Sequence, residues 1–196
     1  GEGCQDKPVR QLKYWVIQPP VRGSATSSCR WFVAQPPERD CGIRQNLRVI
    51  EYRTQAEIEQ MRPAGEFVAG VLSALIARVG VGVNLLELDE LAHQMIRDRG
   101  AESCYINYHP SFGASPFGKV LCTSVNDAVL HGLPHDYELV DGDLVSLDFA
   151  ASVNGWVSDS AISVIAGSPR EQDQQLISTA EAALTAGIAA AVPGNK

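Results

Sequence analysis

The amino-acid sequence predicts a mixed α/β fold of the α+β kind, an antiparallel sheet covered by helices, and three features carry that expectation. Asn154-Gly155 stands between two apolar runs within 143–167. This is the strongest short-range signal for a two-residue β-hairpin, because both central residues tolerate positive φ. Apolar residues recur at helical spacing over 54–79 and again over 84–99, and a third helical start follows the hairpin at Ser168.

Taken in chain order, residues 1–48 show no sustained helical or strand period and contain Pro19-Pro20 and Pro36-Pro37. Thr54-Gln-Ala-Glu57 is a capping box, and Val68, Leu72, Leu75, Ile76 and Val79 form the apolar stripe of the helix it opens. Pro63 is expected to kink or split that helix, since it removes a hydrogen bond and crowds the preceding turn. Asn84 caps a second helix that runs to Arg99, where Gly100 ends it; His93 on this helix reads as an ordinary exposed side chain. Residues 104–119 are rich in Gly, Pro, Ser and aromatics, which reads as a loop lining a site or as a surface loop packed on itself. Cys122 reads as a small buried hydrophobe in a Leu-Cys-Thr strand. Ser168-Pro-Arg-Glu171 reads as another boxed helix start, with the helix running to about Ala191. A weak repeat at an offset of 112 residues matches Leu72, Ile76 and Gly82 to Leu184, Ile188 and Gly194.

The hairpin carries the chemistry. If the turn sets the register, Val153 faces Trp156, Ala150 faces Asp159 and Asp148 faces Ala161. Asp148 and Asp159 are then diagonal neighbours on one face, roughly 7–8 Å apart at the backbone, close enough for their carboxylates to converge. The rest of that face is small or apolar and offers no cation, so the pair needs a metal, a shared proton or water. A bulge would break the register and leave both acids solvated. Paired carboxylates suit hard or borderline divalent ions, and two such ions about 3.5–4 Å apart activate water for attack on a peptide carbonyl.

The run from Val120 to Pro134, with its His131-Gly-Leu-Pro134 string, followed by Asp141-Gly142-Asp143 and the aspartate hairpin, resembles the N-terminal half of the methionine aminopeptidase family over residues 49–196. The resemblance implies the pita-bread fold, here truncated to about its first half. It implies a dinuclear site of two divalent ions (Co, Mn, Fe or Zn) with Asp148 and Asp159 among the ligands. His131 matches the loop histidine that contacts substrate and moves protons. Tyr108, Phe117 and Cys122 match the walls of the methionine pocket, and His109 lies beside Tyr108 near the substrate. Phe112 competes with Phe117 for its place. Val49-Ile50-Glu51 looks like a family N-terminus, so residues 1–48 are expected to be an extension of doubtful status. The family completes its metal shell with a histidine and two glutamates from a second half, so this chain alone is expected to be inactive. Two alternatives stand beside this reading. Trp156-Val-Ser-Asp159 suits an Xaa-Pro peptidase of the prolidase or aminopeptidase P type, and a non-catalytic pita-bread protein would bind RNA or protein.

Charge separates the two segments. Residues 1–48 hold eight Lys/Arg against four Asp/Glu, whereas 49–196 hold eight against nineteen, so a basic arm precedes an acidic domain. Such an arm is a candidate for nucleic-acid or ribosome contact, for a processed targeting peptide, or for a stretch upstream of a natural start at Val49, the reading favoured here, with nascent peptide N-termini as the expected partners of the domain and no DNA or membrane among them. No run of about 18 apolar residues occurs, and cysteines without zinc-finger spacing suit reduced thiols; a cytoplasmic protein is expected.

Overall fold

The computed structural model describes residues 16–18, 52–109 and 115–195. Phe112, Val49 and nearly all of the basic arm, with the expectations attached to them, lie outside the described residues. At the turn, Asn154 and Gly155 take φ of 54° and 78°. This left-handed pair matches the twist of the flanking strands. Strands β4 (Leu144–Val153) and β5 (Trp156–Ile165) therefore pair without a bulge, from Val153 opposite Trp156 to Leu144 opposite Ile165.

The other edge of β4 is shared. β2 (Glu102–Ser103) pairs with Ala151 and Ser152, and β3 (Cys122–Val125) pairs with Val145 to Asp148. β1 (Val16–Gln18) lies antiparallel on the outer edge of β5, a strand too short to leave a period in the sequence.

Alternation along β4 divides its two faces. Val145, Leu147, Phe149 and Ala151 are fully buried, and α1 (Gln55–Arg78) and α2 (Leu85–Arg99) cover them with Val68, Val71, Leu72, Leu75, Leu85 and Leu88. Phe67 meets Phe149 edge to face at 6.2 Å. The capping box at Thr54 forms in full, and Gly100 ends α2 at φ 65°. His93 is half-buried, with Nδ1 3.0 Å from Arg97.

Two local expectations are corrected. Pro63 does not split α1, which runs unbroken over 24 residues. Interior proline costs about 3 kcal/mol or more. Here Met61 and Ala64 on either side of it are buried with Val153 and Trp156, and Glu59, whose carbonyl loses its partner, is exposed to water. Nor does Ser168 cap the third helix. Its amide is taken by Asp141 Oδ1 at 2.6 Å, and α3 (Glu171–Ala190) begins only after Arg170, without a side-chain cap. Arg170 instead pairs with Asp173 at 2.6 Å.

The repeat shows an asymmetry. Leu72 of α1 is buried, while its counterpart Leu184 on α3 is exposed, as is Ile188. Among the described residues no helix is long and apolar enough to cross a membrane.

Candidate metal centre

Because β4 and β5 keep their register, Asp148 and Asp159 fall on the face away from α1, offset by one diagonal step. The Asp159 pKa is pushed up to about 6, first by burial and then by the negative charge of Asp148. Like charges this close cannot both ionise cheaply without a proton or a cation between them. The two donors are hard carboxylate oxygens with no Lys or Arg paired to them among the described residues, a set that fits a divalent ion. Among the described residues no group of three or more His, Cys, Asp or Glu gathers to hold a metal, so the pair stands alone.

Around the pair, Cys122 lies opposite Asp148 on β3. Burial and then the two aspartates raise its thiol to about 12, so it stays protonated and behaves as an apolar wall. Cys122, Phe117, Cys104, Tyr105 and Ala150 form one closed apolar cluster. Cys122 is a free thiol. Tyr108 is half-buried; its carbonyl accepts from Phe117 N at 2.9 Å, and His109 beside it is exposed.

On the other side of Asp148 an open cavity of ≈ 320 Å³ is lined by His131, Asp148, Ser124, Ser146, Ser163 and, from α3, Leu184. The structure thus brings His131 to the aspartate side, while Phe117 and Cys122 sit in a separate packed cluster that is not part of this cavity.

The His131 loop is held in an uncommon shape. His131 itself takes φ 56°, a left-handed conformation that costs energy for a residue with a side chain. Gly132 follows it, and a Cβ there would collide with the Thr123 carbonyl. Its own carbonyl accepts from Thr123 N at 2.7 Å, and its amide donates to Ser124 Oγ at 3.1 Å. At the loop's base Asp143 accepts from Asn126 Nδ2, Tyr137 Oη and Val140 N, at 2.8, 3.0 and 2.9 Å. Burial works to raise the Asp143 pKa, but these donors prevail and hold it below the usual carboxylate value.

Sequence reasoning missed Tyr105 and Asp143. Tyr105 donates its hydroxyl to Asp148 Oδ1 at 2.9 Å. Nothing in a loop sequence with tyrosines at 105 and 108 separates the one that reaches the acids from the one that does not. Asp143 had a signal, the Asp-Gly-Asp string before an apolar strand, but not its partners.

A paired-carboxylate hairpin on one side of a helix-covered antiparallel sheet has counterparts among known peptidases. Residues 59–196 match metallopeptidase family M24, and the chain belongs to that family. Its relatives within the family are methionine aminopeptidases. It is 39% identical to the methionine aminopeptidase of Aquifex aeolicus, over 75% of this chain and 57% of that one, and 40% identical to methionine aminopeptidase 1 of Mycobacterium tuberculosis, over 76% and 54%. The crystal structure of methionine aminopeptidase from Rickettsia prowazekii superposes with a TM-score of 0.65 at 29% identity, covering 70% of this chain and 53% of that one. The fold is therefore the pita-bread fold, and the chain spans about half the length of the curated relatives it matches. Solved prolidases share the fold at 22–23% identity, a likeness of architecture alone. Membership of M24 implies use of a divalent metal.

Proposed function

We propose that this chain carries the first half of a methionine aminopeptidase site, with Asp148 and Asp159 as ligands to a pair of divalent ions. The observation that supports this most is the convergence of two part-buried carboxylates with no Lys or Arg partner among the described residues, in a chain whose relatives are methionine aminopeptidases. When bound, the metals activate water and polarise the scissile carbonyl. The chain's own residues do the rest. His131, held over the aspartate side by Gly132, is placed to hydrogen-bond a reacting peptide group or carry its proton. We assign the apolar cluster of Phe117 and Cys122 to an unbranched thioether, which fills irregular space well, and propose Tyr108 and His109 as its further neighbours.

Two carboxylates are fewer protein ligands than a stable dinuclear site takes. We therefore read the catalytic shell as completed by residues beyond these 196, and the 196-residue chain by itself as inactive. The nature of the ions, among Co, Mn, Fe and Zn, belongs to the same proposal. So do nascent peptide N-termini as substrates, a cytoplasmic setting, and a division into a basic arm at 1–48, suited by its charge to ribosome contact, and a peptidase segment at 49–196.

The test is the product of the coding sequence continued past Lys196. With Co²⁺ or Mn²⁺ it is expected to release Met from Met-Ala-Ser peptides far faster than it cleaves Xaa-Pro bonds. His131→Ala is expected to lower kcat more than it raises KM. A preference for Xaa-Pro peptides would replace this reading with the prolidase-type one, for which Val157-Ser158-Asp159 speaks. Absence of both activities would favour a binding protein.

A further inference from the structure

We infer that Tyr105 is a positioning residue for the carboxylate pair: its hydroxyl fixes the Asp148 carboxylate beside Asp159 and so sets how the pair receives a divalent cation. The inference rests on the metal reading above and adds to it a residue that no part of that reading requires.

Three observations carry it. The Tyr105 hydroxyl donates to Asp148 Oδ1 at 2.9 Å, on the acid that stands one diagonal step from Asp159. The ring cannot swing freely: Tyr105 is only 8% exposed and meets Phe117 edge to face at 5.8 Å and 75°. Its backbone is tied down as well, the amide donating to Ser103 Oγ at 3.1 Å, the carbonyl accepting from Tyr108 N at 2.8 Å, and the neighbouring Cys104 amide donating to Ala150 of β4 at 3.4 Å.

The choice of group matters as much as its place. Two facing carboxylates repel, and left alone they rotate apart toward solvent. A lysine or arginine at position 105 would hold them together by cancelling their charge, which would leave little to attract a cation. A neutral phenol holds the geometry and leaves the negative charge in place. Partners of this kind orient metal-ligating carboxylates, and their loss costs about 10–100-fold in metal affinity.

The experiment uses the product of the coding sequence continued past Lys196 and Mn²⁺ alone, followed by water-proton relaxation, for wild type, Tyr105→Phe and Asp159→Ala. Tyr105→Phe keeps the ring and its packing, so its urea midpoint is expected to stay near that of the wild type while Mn²⁺ affinity falls about tenfold or more. Unchanged Mn²⁺ affinity in Tyr105→Phe, with affinity lost in Asp159→Ala, would overturn the role of Tyr105 and leave the metal reading standing. Unchanged affinity in Asp159→Ala would overturn the metal reading and this role with it. A second measurement does not depend on metal or on the folding of Tyr105→Phe. The ultraviolet resonance Raman tyrosine doublet of the wild type minus that of Asp148→Ala is expected to show one strongly donating phenol. A flat difference spectrum would overturn the contact itself.

Discussion

The two faces of β4 are made by alternate residues of a single ten-residue strand, yet they obey different rules. Val145, Leu147 and Phe149 are sealed under α1 and α2, whereas Ser146 and Asp148, one residue away in each case, remain partly open beside a cavity. The buried face has neighbours enough to hold the fold. The open face carries an acid pair that repels itself and a pair of serines that satisfy one another, Ser146 Oγ lying 2.7 Å from Ser163 Oγ. Stability and chemistry are thereby separated by the period of the strand, and substitutions on the two faces are expected to act independently.

The largest expected effect lies on the sealed face. Phe149→Ala removes a fully buried ring that packs on Phe67 and is expected to cost about 3–5 kcal/mol in urea unfolding. Asp148→Ala, next to it in sequence, is expected to stay within about 1 kcal/mol of the wild type. Equal losses from the two would end the separation of faces.

Second in size is Gly132→Ala, which drives a methyl against the Thr123 carbonyl and is expected to cost about 1–3 kcal/mol. Amide chemical-shift changes should centre on 123–133. Changes confined to the helices would show that the loop is held by something other than this close approach.

A smaller effect, of opposite sign, is expected on the open face. Asp159 has its pKa raised in the folded chain to about 6, so its contribution is present below the ordinary value of 3.8 and lost as pH rises through 6. In metal-free protein Asp159→Asn is expected to be more stable than wild type at pH 7.5, by on the order of 1 kcal/mol after allowing for its coupling to Asp148, with the gain gone at pH 4. Saturating Mn²⁺ should reverse the order. Urea midpoints at the two pH values, with and without the ion, decide it.

Asp143 supplies the contrasting slope. Its pKa is depressed, so the stability it confers is complete above the ordinary carboxylate value and falls away as the pH drops through the lowered one. Asp143→Asn should flatten that acid limb, and a limb of unchanged steepness would assign acid loss to other carboxylates.

What was legible in the sequence follows from periodicity. The hairpin register could be read because Asn154-Gly155 admits one turn geometry and the side-chain period of two then places every residue, Asp148 and Asp159 included. Thr54, Asn84 and Gly100 were legible because capping is local. That Pro63 does not break α1 could not be read because the packing of Met61 and Ala64 is not a local property, and Ser168 was misread because Asp141, distant in sequence, claims its amide. Tyr105 was out of reach for the same reason: its bond to Asp148 joins residues 43 apart through a loop with no period.

The hairpin also bears on the order in which the molecule forms. Asp148 and Asp159 are joined by an unbroken stretch of chain with a two-residue turn at its centre, so bringing them together requires no long loop to close. Hairpins form in about 1–10 μs, ahead of pairings that span longer separations. Tyr105, by contrast, must arrive through non-local contacts. The two acids are therefore expected to meet before the phenol that steadies them.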